Sequence, residues 1–88
     1  MKTISEIYAD ELAKVPDDVK MELDMSFAIA DKIDATLKAR NMTQKDLAKM
    51  MHKTEAEVSR WLGGTHNFTL RTIAKISSVL GVTLFSIN

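Results

Sequence analysis

Thr43-Gln44-Lys45-Asp46-Leu47-Ala48-Lys49-Met50-Met51-His52-Lys53-Thr54-Glu55-Ala56-Glu57-Val58-Ser59-Arg60-Trp61-Leu62-Gly63-Gly64 is the stretch whose reading decides the fold of this chain. Thr43 has the side chain of a helix N-cap and Asp46, three residues on, can answer it, so a helix opens there. Leu47, Ala48 and Met51 follow at i, i+1 and i+4, which puts them on one buried stripe. Thr54 and Glu57 repeat the signal as Thr-x-x-Glu, a capping box opening a second helix. Only Met51, His52 and Lys53 remain between the two. So short a link, with the small Ala48 where the helices approach, suits two helices crossing at a steep angle.

The second helix should bury Val58, Trp61 and Leu62, spaced i, i+3 and i+4. At about 100° per residue, its opposite face carries Ala56, Ser59 and Arg60, flanked by Glu55 and Glu57. Small and polar residues with one Arg are what a DNA major groove can accept. Several separated positions agree at fixed spacing, so residues 43–64 read as a DNA-binding helix-turn-helix, far more specific than a lone short motif.

Residues 43–84 resemble the lambda-repressor-like Cro/CI (Xre) helix-turn-helix family. The wider span from about 16 to 87 resembles the small antitoxins of HigA-type toxin–antitoxin systems, through Gly64-Thr65-His66-Asn67-Phe68-Thr69-Leu70-Arg71-Thr72-Ile73. The resemblance implies an all-α, compact domain of five to six helices that represses transcription from double-stranded operator DNA. It also implies a homodimer on a palindromic site, a toxin partner and repression of the chain's own operon. In the family the Gln matching Gln44 meets the DNA backbone. The expected DNA-contacting set is Thr43, Gln44, Lys53, Thr54, Glu55, Ala56, Ser59, Arg60 and Thr65, with Ala56, Ser59 and Arg60 reading bases and Gln44 positioning on phosphates. Where the family usually has Gly, this chain has His52 in the turn and Asn41 ahead of the motif. Both sites call for left-handed backbone, which Asn and His tolerate best among non-glycine residues.

Charge distribution agrees with this reading better than net charge does. The 88 residues carry 12 Lys/Arg and 12 Asp/Glu, formally neutral. Residues 1–40 hold six Lys/Arg against nine Asp/Glu, net −3, and 41–88 hold six against three, net +3. The basic half is the helix-turn-helix half, and the acidic half suits a separate partner-facing segment. Without a strong positive field, non-specific DNA affinity should be weak. At 45% hydrophobic the chain can bury one modest core, and chains of this length are often helped by oligomerisation. The absence of Cys excludes a disulfide framework and a thiolate zinc site. No apolar run nears the roughly 20 residues of a membrane span, and the N-terminus is acidic where a signal peptide would be apolar, so the expectation is a soluble cytoplasmic protein.

A pass along the chain divides it into an N-terminal helical extension, residues 1–15, and a helix-turn-helix domain, residues 16–88. Thr3-x-x-Glu6 is a further capping box, with Ile4, Ile7, Tyr8, Leu12 and Val15 at helical spacing behind it. A helix so short must dock that stripe on something, either the chain's own surface or a partner. Pro16, Asp17 and Asp18 mark a fresh start, and the helix that follows should run to about Arg40. Leu23, Phe27, Ala30, Ile33 and Leu37 form its expected core stripe, with Met21, Met25 and Ile29 as a neighbouring one. Thr69–Leu80 should be helical with Leu70, Ile73, Ile76 and Leu80 inward and Gly81 as its stop. Val82–Asn88 reads as a half-turn or a small strand.

Plainer readings compete at most positions. Val58, Trp61 and Leu62 are needed by the core stripe, and Glu57 by its capping box. Glu55 can accept from cytosine N4 but repels phosphate. Gln44 can be simply a good first-turn residue, and Arg60 can pair with Glu57 or Glu55 on a solvated surface. Met50 and Met51 are ordinary packing beside Leu47, although six Met also suit an adaptable binding surface. His52 and His66 stand alone, so no metal is expected. There is no Cys nucleophile, glycine-rich phosphate loop or paired His ligand, so neither catalysis nor a cofactor is expected. The alternative function is a protein-interaction module on the same scaffold, in which the acidic half neutralises a partner and the motif no longer reads DNA.

Overall fold

The computed structural model describes residues 3–84, apart from the side chains of Tyr8, Asp10 and Leu12. Those residues form α1 (Ile4–Ala13), α2 (Asp17–Ala39), α3 (Gln44–Met51), α4 (Glu55–Leu62) and α5 (Leu70–Leu80), with no strand among them. The stripe positions Tyr8 and Leu12, and the end of the Val82–Asn88 segment from 85 on, lie outside the described side chains and residues.

Local chemistry starts and stops these helices where the residue types require. Thr43 Oγ1 accepts from the Asp46 N–H at 3.1 Å, and Asp46 Oδ2 accepts from the Thr43 N–H at 2.8 Å, a complete capping box. Thr3 and Glu6 make the same exchange, both bonds at 3.2 Å. Thr54 and Thr69 cap α4 and α5 by accepting from the Glu57 and Thr72 N–H groups at 3.1 Å. The expected return bond from Glu57 to Thr54 does not form, so the second box is only half made.

Three helix ends share one closure. Met42, Lys53 and Val82 each donate a backbone N–H to the carbonyl five residues back, on Leu37, Ala48 and Ser77, at 2.9, 2.9 and 3.1 Å. The residue before each donor, Asn41 (φ 54°), His52 (φ 56°) or Gly81 (φ 65°), is left-handed. This is the Schellman arrangement, and it satisfies carbonyls that the helix leaves unpaired. Asn41 and His52 thus hold left-handed backbone, which the two residue types tolerate best among non-glycine residues.

The core joins Ile29, Ile33 and Leu37 of α2, Leu47, Ala48 and Met51 of α3, Val58 and Trp61 of α4, and Ile73, Ile76 and Leu80 of α5. α3 packs on α4 and α5, and α4 packs on α2. The buried face of α2 corrects the expected stripe: Ser26, Ile29, Ala30, Ile33, Thr36 and Leu37 are inside, whereas Leu23 is half-buried and Phe27 is 47% exposed. α3–α5 cover only the C-terminal half of α2 closely, so Phe27 is left on the rim, with its ring over Gly64. Leu70 is likewise 75% exposed, in the first turn of α5. Leu62 is half-buried, less enclosed than expected.

α1 lies apart from this core. None of the substantial helix-to-helix contacts among the described residues involves it, and Ile4 is 86% exposed. The radius of gyration is 15.3 Å, against about 12 Å for a compact domain of this length.

Candidate nucleic-acid interface

Burial of Val58 and Trp61 fixes the rotation of α4 about its own axis. A helix turns about 100° per residue, so the face opposite those two side chains must be outward. Glu55, Ala56, Ser59 and Arg60 are exposed there, as the sequence pattern requires. Thr43, Lys53, Thr54 and Thr65 are exposed as well, and Gln44 is half-buried. Gln44 opens α3 and Thr54 caps α4, so the turn and two helix starts gather most of the expected set on one motif. Thr65 belongs to the loop after α4, in which the His66 and Phe68 rings meet edge to face at 4.9 Å and 83°.

The electrostatics of the two halves differ in kind. Both ion pairs among the described residues lie in the acidic half: Lys14–Glu11 at 3.3 Å and Lys38–Asp34 at 2.8 Å. The hydrogen bond and charge of Asp34 hold the Lys38 ammonium above its usual range. In the basic half, Lys45, Lys49, Lys53, Arg60, Arg71 and Lys75 are all exposed and none is ion-paired among the described residues. Pairing of Arg60 with Glu55 or Glu57, the plain reading of that residue, does not occur. Lys45, Lys49, Arg71 and Lys75 were not singled out from sequence, although the charge excess after residue 41 contains them.

Two carboxylates shape the start of α4. Glu55 and Glu57 lie in its first turn and offset the positive end of the helix dipole. The terminus of α4 is therefore poorly suited to clamp a phosphate, whereas its exposed flank presents small side chains and one guanidinium. In α3, Asp46 is held below the ordinary carboxylate range, first by the Thr43 backbone N–H, then by the Thr43 hydroxyl, with Lys49 and Lys45 adding attraction. No group of three His, Cys, Asp or Glu among the described residues is placed to hold a metal ion. No helix among them is long and apolar enough to cross a membrane.

Two short helices joined through a left-handed turn, with the second helix bared on one polar flank, define a helix-turn-helix. The family model for helix-turn-helix proteins matches residues 33–87, well over half of the chain. The chain belongs to the Cro/CI-type helix-turn-helix family and is a DNA-binding transcription regulator. No curated protein and no solved structure showed a significant match.

Proposed function

We propose that this chain is a sequence-specific repressor that binds operator DNA as a homodimer, and that it is the antitoxin of a toxin–antitoxin operon. The observation that carries the DNA half is the outward flank of α4, where Ala56 and Ser59 leave room beside an Arg60 held by no carboxylate among the described residues. An Arg so presented can reach guanine O6 and N7 with both prongs of its fork. Gln44, Lys53 and Thr65 supply phosphate contacts on either side. Thr54 uses an oxygen lone pair for capping, so its hydroxyl proton remains free to donate to a phosphate, whereas the Thr43 hydroxyl is shared with Asp46 and Thr43 borders the backbone contact through its place beside Gln44. Glu55 accepts from a cytosine amino group.

One eight-residue helix covers too few base pairs for operator specificity, so two copies about 34 Å apart in successive major grooves read the site. The antitoxin reading is supported by the likeness of residues 64–73 to that group and by the acidic, apolar surface of the N-terminal half. A basic toxin is drawn to such a surface by charge and held by burial.

Selection of bound DNA from a random pool is the deciding experiment. A palindromic consensus with half-sites one helical turn apart is expected. Recovery of no consensus at moderate salt would leave the alternative, a protein-interaction module that reads no DNA.

A further inference from the structure

We infer that the groove between α2 and the start of α5 is the docking site for a basic amphipathic helix of a partner protein. It encloses about 370 Å³ and is floored by Met21, Met25, Ile29, Phe68, Leu70 and Ile73. Met21 is 64% and Met25 47% exposed, so this apolar floor is open to solvent, in a place where a domain of this size gains nothing by exposing it. Asp18, Met21, Met25 and Ile29 follow one another at three- and four-residue steps, a ridge along α2, with Glu22 beside Met21 on the same stripe. From 18 to 29 that ridge runs about 16 Å, the length of three helical turns.

Charge decides the occupant. The only ionisable side chains lining the groove among the described residues are Asp18 and Glu22, both acidic and both exposed. The nearest cations in sequence, Lys20 and Arg71, do not line it, and Lys20 projects about 200° round α2 from Asp18. A second copy seated groove to groove would set these acids against their own kind. α1, whether this chain's or another copy's, would bring Glu6 and Glu11 to the same rim, with Lys14 already paired to Glu11 at 3.3 Å. A helix with Leu- or Ile-type side chains on one face and Lys or Arg beside them meets both the floor and the rim. Methionine floors adapt to differing apolar partners, which suits a groove of this composition.

The inference deepens the partner-binding half of the function proposed above, and its test requires no toxin. Three fluorescein-labelled peptides of about 14 residues share one Leu/Ile stripe and differ only in Lys/Arg, Gln or Glu on the polar face. Fluorescence polarisation with the full chain should give a Kd at least tenfold lower for the basic peptide than for the acidic one. NMR methyl signals of Met21, Met25, Ile29 and Ile73 should shift on binding. Met25→Glu should abolish basic-peptide binding while leaving helical content and DNA affinity unchanged. Equal affinity for all three peptides, or shifts confined to other methyls, would overturn the inference. Conversion of a dimer to a monomer by Met25→Glu would give the groove to a second copy instead. Shifts of the same groove methyls in Ile4→Glu or Ile7→Glu would give it to α1. A toxin neutralised equally by the wild type and Met25→Glu would refute the groove but leave the antitoxin reading standing; basic-peptide binding by a chain with no toxin partner would do the reverse.

Discussion

Replacing Arg60 by Ala separates the functional role of α4 from its structural one. The side chain is exposed, engages neither Glu55 nor Glu57, and lies outside the core formed around Val58 and Trp61. Stability should therefore move by no more than about 0.5 kcal/mol, the usual range for a surface position. Loss of a two-pronged guanine contact costs about 1–3 kcal/mol, which is roughly 5- to 150-fold in Kd on the best site. Arg60→Lys keeps the charge but loses the fork, so a base-reading role predicts that Lys recovers less than half of that free energy. Titration of selected and scrambled duplexes by fluorescence anisotropy, beside a thermal melt of each variant, provides the readout. Relaxed preference at one base pair per half-site is the expected signature. Equal weakening on both duplexes, with full recovery by Lys, would show that Arg60 touches only phosphate and would refute the reasoning.

Other perturbations address the scaffold. His52→Gly removes the side chain from a left-handed site, relieving a strain of about 1–2 kcal/mol against a glycine entropy cost of about 0.5–1 kcal/mol. The net gain of about 0.5 kcal/mol should raise Tm by roughly 2–4 °C, and a lower Tm would contradict it. Gly64→Ala, at φ +89° with its new Cβ 2.4 Å from the Phe27 ring, should lower stability by about 1–2 kcal/mol in urea titration. Because its capping bonds hold the Asp46 pKa below the ordinary 3.8, Asp46 stabilises the fold above that pH, and the effect fades as pH falls through the depressed value. Asp46→Asn should therefore melt below the wild type at neutral pH, with the two curves converging in strong acid. A gap that persists in acid would assign the stabilisation to something other than ionisation.

The sequence made the motif legible because its signals are local. Capping at Thr43, Thr54 and Thr69 depends on residues three apart, and the left-handed sites at Asn41 and His52 on one residue each. The outward flank of α4 followed from the buried identity of Val58 and Trp61. Periodicity failed where burial depends on what happens to lie opposite. Leu23, Phe27 and Leu70 keep helical spacing with the core, yet no element among the described residues covers them fully, and Ser26 and Thr36 are buried although polar. Thr36 manages this by donating its hydroxyl to the Lys32 carbonyl at 2.7 Å. The apolar stripe of α1 could not be assigned a surface from sequence, and in the fold Ile4 and Ile7 remain outside the core. The half-formed box at Thr54 shows the same limit, since a Thr-x-x-Glu pattern permits the returning bond without enforcing it.

The contact between Gly64 and Phe27 makes the history of one position depend on the other. The ring occupies the space a methyl group would need, so in the present background any side chain at 64 meets both a collision and an unfavourable backbone angle. Shrinking residue 27 first would remove the collision and leave only the angle, so the two substitutions taken together should cost less than their separate effects added. The order in which they arise therefore matters: a path that changes 27 and then 64 stays closer to a folded chain at every step than the reverse. Variation at these two positions among descendants of this sequence should consequently be linked, although 36 residues of chain lie between them.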